Sequence, residues 1–333
     1  MKTAILAILL FCIMIFPHEL GHFLAAKKVG VKVNEFAFGM GPVLWKKQGK
    51  ETLYSIRLLP IGGFCAMEGE DRDAKGPGSF NSKKPWEKLL VLAAGSFMNV
   101  ICAMIIMIGI VCCAGIATTT IDQVDPNGAA MEAGMVTGDT IVRINEHEIK
   151  EWAQVISAFT EAEANTSTIV VERDGQEKVL SITPEKSEDG RYVIGITSKV
   201  SHNIFRASVQ GAKLTWQMTL DLFNTITRLF TGKVGVENLS GPVGMVQLVN
   251  ETTTYGWWYY AFLIATICLN LAVMNLLPFP ALDGGRIIFV LFTMITGKEV
   301  SQRVEGVIHF AGFALLIGLM LYVSFNDVLR IFG

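Results

Sequence analysis

The chain has 333 residues, 51% hydrophobic and 17% charged, with a formal net charge of −2 and a mean hydropathy of +0.44. That is too apolar for a soluble protein of this size and implies a membrane protein carrying a soluble part. The near-neutral charge gives no support to nucleic-acid binding. Six cysteines include no CxxC pair, and the polar middle of the chain contains none, so no disulfide framework is available there.

The first apolar run, about residues 3–26 of a segment 1–30, comes after Met1-Lys2-Thr3 and could pass for a signal peptide. No A-x-A-like site with a polar exit is found after it, and the run leads into Pro17 and His18-Glu19-Leu20-Gly21-His22, so we expect a retained membrane span. On a helix, residues four apart share one face, offset by about 40° and separated by about 6 Å along the axis. His18 and His22 can therefore reach one zinc ion while Glu19 polarises the water beside it. A surface helix would explain paired His and Glu without a metal, but the flanking Ile, Met, Phe and Leu leave no solvated face. Ionisable groups inside an apolar span point to a functional site.

Residues 31–88 form a loop dense in positive charge, with Lys or Arg at twelve positions from Lys27 to Lys88, Arg72 and Lys75 among them. That density places the loop in the cytoplasm. Within it, 31–38 and 52–59 read as strands separated by Gly39, Gly41 and Pro42. They form either a stabilising hairpin or a sheet whose open edge pairs with an extended substrate.

A second span is expected in 89–117, which puts the polar region 118–200 outside the cytoplasm. That region runs strand, Pro126-Asn127-Gly128 turn, Ala-rich helix, Ala133-Gly134-Met135-x-x-Gly138-Asp139 and strand, with a later hairpin over 168–182. The pattern resembles a PDZ domain, and such a domain either takes a peptide ligand by strand addition or blocks access to the membrane site. Residues 201–256 contain an amphipathic helical stretch, 203–231, that lies on the outer membrane surface or packs as a linker.

Residues 257–333 hold the third and fourth spans, one from Trp257 to a break at Pro278, the other near 305–325. A catalytic zinc usually has three protein ligands and water. Asp283 is the expected third donor: Pro278 and Pro280 preclude a regular helix, and Gly284 and Gly285 are expected to loosen the backbone after it. Irregular backbone at membrane depth is tolerated where it lines a cavity. The whole then reads as a polytopic α-helical membrane protein with about four transmembrane helices. A small cytoplasmic β-rich loop and one extracytoplasmic PDZ-like α+β domain complete it.

These pieces together resemble the site-2 protease family of intramembrane zinc metalloproteases, in its bacterial branch with four membrane helices and PDZ domains. The matching segments are Pro17 through Ala26, Gly39–Pro42, Leu58–Gly63, Gly95–Asn99, Ser240–Gly244 and Asn275 through Gly285. Two departures stand out: Ser96 where the family's motif often has Pro, and one PDZ-like domain where several relatives have two. The resemblance implies a bacterial plasma-membrane endopeptidase that cuts single-span membrane proteins, such as anti-sigma factors or remnant signal peptides. It also implies that Asn275, and more weakly Asn99, touch the substrate backbone or the oxyanion. The competing reading is a catalytically silent PDZ-bearing membrane scaffold, which an intact HELGH and LDGG argue against.

Overall fold

Long apolar runs and the glycines between them set the frame of the chain, which a computed structural model describes over residues 2–70, 76–187, 190–233 and 241–332. Arg72, Lys75 and Ser240 lie outside those residues. The chain divides into two units, Met1–Ile110 with Gly211–Gly333, and Val111–Gln210. Helix α1 (Lys2–Lys28) carries Pro17 in its interior and ends on Lys27 and Lys28, whose charges complement its C-terminal dipole. Strands β1 (Val33–Gln48) and β2 (Leu53–Met67) are antiparallel and longer than the sequence suggested. Gly39 and Gly62 hold φ of +87° and +92°, so each strand bends at its glycine; the sequence reading ends the first at 38 and the second at 59. The bends let Phe36 face Cys65 on one side and Tyr54 on the other, while Gln48 faces Leu53 across the turn. Helix α2 (Pro85–Ala114) starts with the proline that fits a first helical turn. Ala25, Ala26, Val33, Phe36, Cys65, Val91 and Leu92 form a shared core among α1, the two strands and α2.

The second unit contains strands β3 (Ile116–Val124), β4 (Thr140–Ile144), β5 (His147–Glu148), β6 (Ser167–Arg173), β7 (Gln176–Ile182), β8 (Glu185–Lys186), β9 (Tyr192–Val193) and β10 (Ile196–Ser201). Helices α3 (Ala129–Glu132) and α4 (Trp152–Ala162) complete it. The main sheet runs β10-β3-β4-β6-β7, with β5 paired to β4. The order of strand, turn, short helix, Gly-Asp turn and strand is the one read from the sequence, and β6–β7 is the expected hairpin. Ile169 and Val171 of β6, two apart, enter the core with Ile141 and Ile144 of β4, between which the register shifts, and with Val155 and Phe159 of α4. A cavity of about 890 Å³ lies between α4 and residues 190–197, lined by Trp152, Phe159, Tyr192 and Ile194.

The chain continues through α5 (Ile204–Phe230), α6 (Pro242–Thr254), α7 (Trp257–Asn275), α8 (Asp283–Thr296) and α9 (Gln302–Phe332). Asp327 of α9 is buried and accepts the Gly241 and Gly244 N–H groups at 2.9 and 2.8 Å, which caps α6. Among the described residues, four helices are long and apolar enough to cross a membrane: Lys2–Lys28, Pro85–Ala114, Trp257–Asn275 and Arg303–Arg330. Only 11% of the apolar stretch of the last is buried inside the protein itself, as a lipid-facing span requires. Helix α8 departs from the expected loosening. Gly284 and Gly285 are helical and buried, and a Cβ on Gly285 would come within 2.5 Å of the Phe279 carbonyl oxygen. Lack of a side chain there lets α8 fold back tightly against the Pro-broken turn.

Candidate active site

The donor set starts with the two histidines of α1, each only 7% exposed. They face α2 because the backbones of the two helices meet: a Cβ on Gly21 would collide with the Ala94 carbonyl, and Gly95 lies directly under both rings. A Cβ on Gly95 would stand 2.8 Å from His18 Cε1 and from His22 Cε1, with His22 Nε2 nearer still. The Pro278–Leu282 turn brings Asp283, the first residue of α8, back to the same point.

His18 Nε2 and His22 Nε2 are 3.2 Å apart, and Asp283 Oδ2 lies 3.2 Å from the first and 3.4 Å from the second. Donor atoms at the corners of a tetrahedron around zinc, with bonds of about 2.0–2.1 Å, are separated by about 3.3 Å. The protonation pattern agrees. His22 Nδ1 donates to the Val91 carbonyl at 2.9 Å, which leaves the Nε2 lone pair facing the cluster. Asn275 Nδ2 donates to His18 Nε2 at 3.1 Å, so that nitrogen is also an acceptor. The His18 Nδ1 and the Asp283 Oδ2 are buried without a hydrogen-bond partner. Two ring lone pairs and a carboxylate oxygen therefore converge, and a cation there would take the His18 lone pair in place of the Asn275 N–H. These residues fit a zinc ion by donor type and by spacing.

Glu19 is half-buried beside His18, and its Cγ lies 3.4 Å from where a Cβ on Gly63 of β2 would stand. Asn275, the last residue of α7, joins the cluster through His18. Asn99 does not. It is fully buried one turn beyond Gly95 on α2, and neither of its amide atoms has a hydrogen-bond partner. Sequence reasoning missed Gly21 and Gly95 as the floor of the site, and the Val91 carbonyl as the group that sets the His22 tautomer. The small-residue run Ala93-Ala94-Gly95-Ser96 was the available signal for close helix approach. It also missed Arg286, one turn after Asp283, which pairs with Glu70 just past the end of β2.

Proteins of known sequence are similar along the whole chain. A Clostridium acetobutylicum protein named "Putative zinc metalloprotease" is 37% identical over 327 residues, covering 97% of this chain and 96% of that one. The regulator of sigma-W protease RasP of Bacillus subtilis is 29% identical over 420 aligned positions, covering 99% of each. Among solved structures, a PDZ domain of an SdrC-like protein from Listeria monocytogenes is similar at 20% identity and a TM-score of 0.22. It covers 25% of this chain and 86% of that one. A model of peptidase family M50 matches residues 6–319, so the chain belongs to that family, the site-2 proteases, and is a zinc metalloendopeptidase of the membrane.

Proposed function

We propose that His18, His22 and Asp283 hold the zinc and that Glu19 is the general base of peptide-bond hydrolysis within or near the bilayer. The observation that carries this is the convergence of three lone-pair atoms at 3.2–3.4 Å, the spacing a tetrahedral ion needs. Bound zinc supplies Lewis acidity and makes an attacking water acidic enough to ionise near neutral pH. The Glu19 carboxylate takes the proton of that water and returns it to the leaving amide nitrogen. Asn275 Nδ2, already a donor at the cluster, hydrogen-bonds the scissile carbonyl oxygen as negative charge develops on it. Asn99, buried with both amide atoms free of hydrogen bonds, is the weaker candidate for the same task.

The substrates we propose are single-span membrane proteins, anti-sigma factors or remnant signal peptides among them, cut in regulated intramembrane proteolysis at the bacterial plasma membrane. A membrane helix hides its carbonyls in its own hydrogen bonds, so the cut segment must open into an extended form. The strand at 63–67 supports this reading, because it runs beside Glu19 and pairs with β1. The density of positive charge in the loop supports an orientation with this sheet and the donor set toward the cytoplasm, and the 118–200 region on the other side. There the cavity beside α4 would take a peptide, or the domain would restrict access. The bilayer itself is the other partner.

Glu19→Gln tests the mechanism. The variant should hold zinc like the wild type, since Glu19 is no ligand, while membrane peptides that the wild type removes accumulate uncut in cells. Normal turnover of those peptides by Glu19→Gln would end the general-base assignment.

A further inference from the structure

The last span does more than cross the membrane. Ala281 sits two residues before Asp283 with φ of +77°, the left-handed region that a residue with a Cβ disfavours. The other described non-glycine residues with positive φ are Asn145, Glu163 and Asp174, all polar. Something must therefore hold the Phe279–Leu282 turn in place. Two contacts from α9 do so. His309 Nδ1 accepts the Ala281 N–H at 2.8 Å, which puts the ring proton on Nε2, 3.8 Å from Glu305 Oε1. The ring packs on Phe289 of α8, 5.7 Å between centroids. One turn further on, Gly312 lets α9 close on the turn: a Cβ there would stand 2.5 Å from Pro280 Cβ and 2.6 Å from its carbonyl oxygen.

We infer that His309 is a positioning residue for the metal site, holding the strained Ala281 turn so that the Asp283 carboxylate meets His18 and His22. It rests on the reading of Asp283 as a zinc ligand. His309 touches neither the donor cluster nor Glu19 in this arrangement; it acts through the backbone that delivers one ligand.

Zinc affinity of the full-length protein in detergent, by competition with a chromogenic chelator, tests this alongside kcat and KM. His309→Leu removes the acceptor and should weaken zinc binding by about 10–100-fold, the range for groups that orient a ligand. His309→Asn keeps an acceptor at the Nδ1 position and should stay within about threefold of wild type. Adding Ala281→Gly to His309→Leu should recover most of the loss, because glycine takes the positive φ without support. A merely structural role for His309 would not be rescued at residue 281. Gly312→Ala, which leaves the hydrogen bond but pushes on Pro280, should also weaken zinc, and it serves if His309→Leu does not insert. Where KM is measurable, kcat should fall and KM stay unchanged. Wild-type zinc affinity in folded His309→Leu or in Gly312→Ala overturns the inference, as does a double variant no better than His309→Leu. Asp283→Ala separates the two readings: if it keeps full zinc affinity, the ligand assignment fails, whatever the His309 variants do.

Discussion

Gly95→Ala puts one methyl group on α2 and changes no charge, yet it should be among the most damaging small substitutions in the chain, because the rings of α1 rest on that position. The new Cβ would stand 2.8 Å from His18 Cε1 and nearer still to His22 Nε2, against an ordinary contact of about 3.4 Å or more, so the His18 ring must move by about 0.6 Å and the His22 ring by about 1 Å. The helices cannot part to make room without breaking the adjacent contact of Gly21 with Ala94, and His22 is further tied to the Val91 carbonyl. Shifts of about 0.6–1 Å are about a third to a half of a zinc–nitrogen bond. We expect zinc affinity to fall by about 10–100-fold, or about 1.4–2.7 kcal/mol, and turnover by a similar factor. Gly109→Ala on the same helix is the control, since no atom lies within 4 Å of a Cβ there. Chelator competition reads the metal, and cleavage of a model single-span substrate reads the chemistry. If Gly95→Ala binds zinc and cleaves like Gly109→Ala, the two rings do not hold the metal in this arrangement, and the proposed ligand set is wrong.

Asp283→Ala and Asp283→Asn should both lose proteolysis and most of their zinc while still inserting in the membrane, because a neutral amide is a poorer ligand than a carboxylate; metal content per purified chain checks this. In the other unit, Asp139 is fully buried and accepts Arg173 Nε and Nη2 at 2.6 and 2.7 Å, and the Val136 N–H at 3.0 Å. Burial alone would raise its carboxyl pKa, but the hydrogen bonds from Arg173 and Val136 hold it below the ordinary value. Its contribution to stability is therefore complete above about pH 4 and lost as pH falls through the lowered pKa. Asp139→Asn should destabilise residues 111–210 by about 3 kcal/mol at neutral pH and flatten that acid-side loss, read by hydrogen exchange in the intact protein.

What the sequence made legible was local. HELGH could be read because its two proposed ligands lie four apart on one helix, and the spans because hydropathy needs only a window of neighbours. Asp283 was legible from the prolines before it, yet the structure beyond it was not. Gly284 and Gly285 read as loosening residues from composition, but packing against Phe279 and its neighbours makes them the tightest part of α8. Gly39 likewise read as a strand end, and the second strand as ending at 59; both strands instead continue through bends at Gly39 and Gly62. The small-residue run around Gly95 signalled close helix approach but not what would rest on it, since the rings above it come from another helix. The resemblance grouped Asn99 with Asn275, and only Asn275 has a hydrogen bond at the donor cluster.

The two halves of the proposed donor set are held by different means, and this bears on how a site buried among membrane helices can work. The histidines stand where they do because atoms are missing: Gly21 and Gly95 let α1 and α2 meet backbone to backbone, which leaves no slack at that wall. Asp283 is delivered by a turn that close glycine contacts also shape, but that the His309 hydrogen bond to Ala281 holds from behind, with the Arg286–Glu70 pair one turn after it. Its side chain is 21% exposed, against 9% for His18 and His22. On the proposed ligand set, the wall made by α1 and α2 is thus the closely packed side of the metal site, and the wall made by α8 and the end of β2 is the more accessible one. A substrate that opens its helix before attack, as proposed, needs that division. Binding energy gathered along the strand edge is useful only if the catalytic groups do not yield to it.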